Sequence, residues 1–277
     1  MEKLIKILKG FEKRRNDRNK EEWEKKSLVA KYEEIADWFR PCAEQILCNG
    51  YFLINKKYVV DLGAIELYYH EEEGEIKDPT MYHINEKPTK SSIFKLNNGK
   101  YPYFKFGSFN LHQSGVDVTF ENPTEKYRAS FLIRSYRIIK VENGEYSQVV
   151  DNVKYDNHST HIFDDMFYSG ILLSDTKNDK KTTIEWMDDK PGKVELDEEI
   201  NWRINVSEYK KYENGEYEKD DKGNYIRYDV TDIISDKEKA EMKDAKKNKK
   251  CPEYFNSGTK YYRQDKRPWR FQLKDVE

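Results

Sequence analysis

Between Tyr51 and Tyr69 the chain reads as three short apolar runs separated by turn-forming residues, and this limits the folds open to it. Tyr51-Phe52-Leu53-Ile54, Tyr58-Val59-Val60 and Ala64-Ile65-Glu66-Leu67-Tyr68-Tyr69 are rich in aromatic and β-branched residues, too short for helices and of strand length. Asn55-Lys56-Lys57 joins the first two as a hairpin. Tyr101–Phe109, Val116–Phe120 and Ala129–Ile139 add further strands, set off by Asn97-Asn98-Gly99 and Glu121-Asn122-Pro123. Upstream, Leu4, Ile7, Leu8 and Phe11, then Trp23, Leu28, Val29, Tyr32, Ile35 and Trp38, recur at helical intervals. The expected class is α+β: a single mixed domain around a curved, largely antiparallel β-sheet with N-terminal helices.

Composition decides whether such a sheet can have a core. Hydrophobic residues are only 36% of the chain and charged ones 37%, but aromatics reach 14%. Disordered chains are poor in aromatics, so a core of aromatic and β-branched residues is expected, with solvated charged segments around it. Fifty basic residues against 52 acidic ones give a net charge of −2. That excludes affinity for nucleic acid through overall field alone.

No run approaches the roughly 18 apolar residues of a membrane span, and Met1–Lys9 lacks the core of a signal peptide. Cys42, Cys48 and Cys251 form neither an even disulfide framework nor a CxxC pair. An intracellular, cytoplasmic and nucleoid-associated location follows as the expectation. His158 and His161 are three apart, but no further Cys or His completes a zinc site, and no glycine-rich phosphate loop occurs. Neither metal nor cofactor is expected.

Residues 1–40 read as a charged helical segment ended by Pro41, a cap packed on the core. Residues 41–277 form the main domain, with a charged insertion at about 176–250 that includes the helical Lys237–Lys250. Gln45–Gly50 reads as a helix end closed by glycine, Glu142-Asn143-Gly144-Glu145 as a hairpin turn, and 155–175 as partly helical.

One residue stands out chemically. In Ile65-Glu66-Leu67-Tyr68, alternation points Glu66 away from Ile65 and Leu67, either to water or into a polar cleft. In a cleft, burial raises a carboxylate's pKa toward that of a general base. Tyr68 projects from the same face. Ala129–Ile133 is an apolar strand closed abruptly by Arg134, and an arginine there is expected to meet a carboxylate or an anion at the sheet rim. His83, in Asp78–His83, Tyr103 and Phe106, in Tyr103–Gly107, and Asp117, in Gly115–Thr119, complete the series.

Taken in order, these segments resemble the alkyladenine (3-methyladenine) DNA glycosylase family of base excision repair. Glu66-Leu67-Tyr68 is similar to the family's Glu-Ala-Tyr strand end, and Tyr103-Phe104-Lys105-Phe106-Gly107 to its Tyr-x-x-Tyr-Gly segment. Leu132-Ile133-Arg134 is similar to its Leu-Leu-Arg strand, Ala43–Cys48 to its Ala…Leu-Leu-Gly helix, and Pro268-Trp269-Arg270-Phe271 to its closing strand. His83 matches a family histidine delayed by an insertion. The resemblance covers roughly residues 28–140 and 258–273.

It implies a monofunctional N-glycosylase that removes a modified purine flipped out of double-stranded DNA, acting as a monomer without membrane, metal or cofactor. Glu66 would activate water and Arg134 would hold it. Tyr68, His83, Tyr103 and Asp117 would bind the flipped base, Phe106 would be the wedge in the duplex, and Arg263, Arg267 and Arg270 would meet the DNA backbone. Flipping costs a few kcal/mol, which an aromatic wedge partly offsets.

Asp117 stands where the family carries Asn, Phe106 replaces a Tyr, and the loop with Glu71, Glu72, Glu73 and Glu75 is acidic beside a supposed DNA site. Two other readings stand beside this one: a non-catalytic reader of modified nucleic acid or module for a protein partner, and an N-glycoside hydrolase of RNA or nucleosides. Basic residues gather near both ends, Lys13, Arg14, Arg15 and Arg18 among them, so a basic face beside Glu66 is expected.

Overall fold

The computed structural model describes residues 1–76, 78, 81, 102–112, 114–141, 146, 153–168, 183–198, 203, 221, 267–274 and 276. Three N-terminal helices, α1 (Glu2–Asn16), α2 (Lys20–Lys25) and α3 (Leu28–Cys48), precede seven strands: β1 (Tyr51–Ile54), β2 (Tyr58–Glu71), β3 (Ser108–His112), β4 (Gly115–Thr119), β5 (Tyr127–Lys140), β6 (Ile184–Met187) and β7 (Arg270–Gln272). A short helix α4 (His161–Phe163) and a π-helical turn (Asp164–Tyr168) lie between β5 and β6. All strand pairs are antiparallel, in the order β3-β4-β5-β2-β1-β6, with β7 paired to β2. The fold is mixed α+β: N-terminal helices on a curled antiparallel sheet.

In the three-residue turn Asn55-Lys56-Lys57, Asn55 and Lys56 hold positive φ (52° and 54°) and the Lys57 amide donates to the Ile54 carbonyl at 2.9 Å. Beyond it, the second and third apolar runs are one strand, β2. Gly63 keeps the strand continuous while its register against β5 shifts between Leu62 and Ile65. A Cβ there would stand 2.7 Å from the Tyr155 ring, so glycine is what lets Tyr155 lie across the sheet. In place of the long strand expected at 101–109, β3 begins only at Ser108.

Helix α3 does not end at Pro41 but runs through it to Cys48. An interior proline costs on the order of 3 kcal/mol. Pro41 sits on the exposed side of a helix that buries Tyr32, Ile35, Phe39, Ala43, Ile46 and Leu47, and that burial outweighs the penalty. Nearby, the Trp38 carbonyl accepts Arg14 Nε at 2.6 Å. Gly50 follows the helix for a packing reason, since a Cβ would lie 2.0 Å from the Trp186 ring.

The N-terminal segment is part of the core. Leu4, Leu8 and Phe11 are fully buried, and Phe11 meets Phe39, Tyr69 and Phe120 edge-on with centroids 5.4–6.1 Å apart. The supposed insertion is integral too, where it is described. β6 pairs with β1, and Trp186 packs on Phe52 at 4.8 Å. Lys190 is buried with its Nζ 2.6 Å from Asp61, which also accepts Arg137 Nε, Tyr146 Oη and Tyr155 Oη at 2.9 Å each. The 142–145 turn, the Asn97–Gly99 turn and the Lys237–Lys250 helix lie outside the described residues.

Candidate functional site

Strand pleating divides the sheet into two chemically different faces. Ile65, Leu67, Phe131, Ile133, Val116, Val118 and Phe271 turn to the helices. The opposite face carries a lateral row in which each residue is the Cα partner of the next: Asn110 (β3), Asp117 (β4), Leu132 (β5), Glu66 (β2) and Arg270 (β7). Side chains of paired residues share a face, so this row is polar on both sides of Leu132.

Glu66 is fully buried, so it does not point to water. Arg134 Nε lies 3.4 Å from Glu66 Oε1, and Tyr68 Oη donates to Oε2 at 3.3 Å. Arg134 does not end its strand; β5 continues to Lys140. Its role against a carboxylate is nonetheless as anticipated. Arg134 Nη1 also donates to Ser159 Oγ at 3.2 Å, and that hydroxyl donates to the Ser114 carbonyl at 2.8 Å. Burial, and then the charge of Glu66, push the Tyr68 hydroxyl well above the ordinary tyrosine range, so it remains a donor to Glu66.

Asp117 is buried with Oδ2 3.2 Å from His112 Nε2. The Ser114 amide donates to His112 Nδ1, so a neutral imidazole there carries its proton on Nε2, facing the acid. Among the described residues, Asp117 Oδ1 and the buried Ser130 Oγ have no hydrogen-bond partner. Both belong to the same polar face, since Ser130 pairs with Tyr68 and with Thr119.

The structure thus brings together Glu66, Arg134, Tyr68 and Asp117, with Arg270 in the same row. It separates the others. Tyr103 lies under Arg128, whose guanidinium is 4.1 Å from the ring centre. Arg128 pairs with His70, two positions beyond the Tyr68 pair. Phe106 is half-buried and packs edge-on against core Phe120 at 6.1 Å; its contacts are those of a core residue, not of a projecting wedge. The adjoining Gly107, at φ 75°, abuts Ile5 of α1.

Arg267 is fully buried, 3.9 Å from Asp78 and stacked near Tyr32 and Trp269, so it cannot meet a DNA backbone. Of the basic cluster at the end of α1, Arg14, Arg15 and Arg18 turn toward the protein while Lys13 is exposed. Arg15 donates to Tyr69 Oη at 2.6 Å, and Arg18 pairs with Glu71 at 3.7 Å. The acidic loop is neutralised by neighbours: Glu72 by Arg128, Glu73 by Lys126, and Glu75 by Lys31. His83 and Arg263 lie outside the described residues.

Several site residues escape a reading of the sequence. Arg203 is fully buried, 2.7 Å from Asp78, and lies over the Tyr68 ring at 4.4 Å. It stands in the alternating Ile200-Asn201-Trp202-Arg203-Ile204-Asn205-Val206, inside a stretch whose overall charge reads as a solvated insertion. Ser130, Asn110 and His112 are findable in principle, as polar residues at alternate positions of strands whose other face is apolar. Asp156 carries no signal in a pattern of Cys and His alone. Asp156, His158 and His161 place one ligand atom each within 4.8 Å of one another, the one such group among the described residues.

No helix of the described residues is long and apolar enough to cross a membrane. Comparison with family models, curated proteins and solved structures finds no match to this chain.

Proposed function

We propose that the polar face around Glu66 binds a flipped-out modified purine and hydrolyses its N-glycosidic bond, and that the protein is a monofunctional DNA glycosylase. The observation that carries the reading is the row Asp117–Leu132–Glu66. Two strand spacings, about 10 Å, separate the backbone positions of the two acids, with an apolar leucine between them. A flat base over Leu132 would have Asp117 Oδ1, which lacks a partner among the described residues, as acceptor for an exocyclic amine or a cationic ring edge. Its sugar would then be directed toward Glu66.

In this reading Glu66 takes a proton from water as the oxygen attacks C1′. The C1′–N bond breaks, and its electron pair leaves with the base. A base already made cationic by alkylation leaves as a neutral species. Arg134 and Tyr68 orient the carboxylate from two sides. With Arg203 on one face of Tyr68, a base stacking on that ring has the opposite face. The sequence resemblance supports the same assignment. Double-stranded DNA as partner, action as a monomer and nucleoid association belong to this proposal.

The test is incubation with alkylated and naturally modified duplex DNA, followed by mass spectrometry of released bases. Wild-type protein releases a modified purine, whereas Glu66→Gln binds the DNA and releases none. Release at the wild-type rate from Glu66→Gln rejects Glu66 as the base. The full burial of Glu66 in an ion pair favours a second reading, a non-catalytic reader of modified nucleic acid. Tight binding with no release by the wild type supports that reading instead.

A further inference from the structure

Away from Glu66, the segment Asp156-Asn157-His158-Ser159-Thr160-His161 folds into a carboxylate flanked by two imidazoles. His158 Nδ1 lies 2.9 Å from Asp156 Oδ1, and His161 Nδ1 lies 2.8 Å from Oδ2. The two rings stack with centroids 4.7 Å apart. The segment is anchored on the sheet, because Asp156 exchanges both backbone hydrogen bonds with Tyr136 of β5, at 2.7 and 3.1 Å. The His158 amide donates to Asp156 Oδ1 at 2.7 Å, which fixes the carboxylate, and the His161 amide donates to the His158 carbonyl at 3.0 Å. Both imidazoles are mostly exposed, so an ion has an open path.

We infer that Asp156, His158 and His161 form a binding site for a divalent transition cation of the zinc class. Two imidazole nitrogens and one carboxylate are a ligand set that zinc uses with water in the fourth position. Tetrahedral zinc with bonds near 2.0–2.1 Å holds its ligand atoms about 3.3 Å apart. The acid–imidazole contacts, each to a different carboxylate oxygen, need to open by about half an ångström, and the ligand atoms, now within 4.8 Å of one another, to close on the ion, a rearrangement open to surface side chains. In the apo protein the protons on the two Nδ1 atoms occupy the position of the ion; binding displaces them.

The site reaches beyond itself through Ser159, which lies between the two histidines. The Ser159 hydroxyl receives Arg134, the partner of Glu66, and Ser159's carbonyl crowds β4, where a Cβ on Gly115 would meet it at 2.5 Å. An ion bound to His158 and His161 therefore clamps both ends of the segment that holds Arg134.

The test is calorimetric titration of ZnCl2 into the full-length protein, stripped of metal and carrying no histidine tag, together with the visible spectrum of its Co2+ form. One ion per chain is expected, with a tetrahedral Co2+ spectrum that lacks thiolate charge transfer. His158→Gln with His161→Gln should weaken binding by more than the roughly 100-fold that loss of one outer partner of a ligand can cost, while thermal unfolding in EDTA matches the wild type. Failure of the wild type to bind, unchanged binding by the double variant, or a thiolate band implicating the cysteines each overturns the assignment. If the variant does not fold, X-ray absorption of the zinc-loaded wild type decides: two imidazoles and a carboxylate support it, and any sulfur ligand rejects it. None of these readouts depends on base release, so failure here and failure of the glycosylase reading are separate results.

Discussion

The guanidinium of Arg203 lies 4.4 Å from the centre of the Tyr68 ring, and the hydroxyl of that ring is bonded to Glu66. Arg203 also holds Asp78 at 2.7 Å and the Leu67 carbonyl at 3.3 Å, all away from water. One face of the aromatic ring beside the acid is therefore occupied by the protein's own cation. A single buried carboxylate, Asp78, sits between two buried arginines, Arg203 and Arg267.

Removing that carboxylate should be severe. Asp78→Ala leaves two buried guanidinium groups without it, and breaking a buried pair from one side costs about 3–5 kcal/mol. Urea denaturation of Asp78→Ala against wild type measures the loss. A change below about 1 kcal/mol, the scale of an exposed pair, would mean that this cluster is solvated in solution.

Ser159→Ala removes the acceptor of Arg134 and the donor to Ser114. The hydrogen bonds are worth about 1 kcal/mol each, so base release should slow about five- to tenfold with little change in DNA affinity. Single-turnover release on a cleavable duplex separates the two quantities. An unchanged rate with unchanged stability shows that Ser159 does not position Arg134.

Phe106→Ala should act through the core. Loss of the contact with Phe120 from a half-buried position destabilises by roughly 1–3 kcal/mol. Release from duplex and single-stranded substrates should then fall by the same factor. A selective loss on duplex DNA would restore the wedge role to this ring.

Burial pushes the Cys42 thiol up from 9.0 to about 11, and the thiol donates to the Ile7 carbonyl. The neutral form is favoured by folding, so the stability linked to this group is intact below pH 9 and is lost as pH rises from 9 through 11. At pH 8 the native protein should leave Cys42 unmodified by iodoacetamide, as peptide mapping will show, and urea should expose it. Rapid native alkylation of Cys42 contradicts the burial.

The parts of this architecture that were legible in the sequence are those encoded locally. The Ile65–Tyr68 alternation placed Glu66 and Tyr68 on one face, and Asn55-Lys56-Lys57 marked the hairpin. The pairing of Arg134 with a carboxylate followed from an arginine in an apolar strand. Where the reading failed, the deciding partner was distant in the chain. Pro41 is tolerated because of what the far side of α3 buries, Arg267 is interior because Asp78 receives it, and Lys190 joins the core because of Asp61. Buried ions of this kind carry no periodic signal, so a basic cluster that looks like a binding face can instead be structural. Asp117 and Glu66 are each legible singly; that they share a row with Leu132 depends on strand register.

One edge of β2 has two tenants, β1 against Tyr58–Val60 and β7 against Ala64–Glu66. The first is the neighbouring hairpin, but the second arrives from the far end of the chain. During synthesis the backbone flanking Glu66 therefore stays an open strand edge until the last strand emerges, a state prone to pairing with other chains. The strand edge beside the candidate acid is covered only once β7 is in place. A nascent chain holds its hairpin and helices before it holds its site, and a chain cut short before Arg270 carries Glu66 on an unprotected edge.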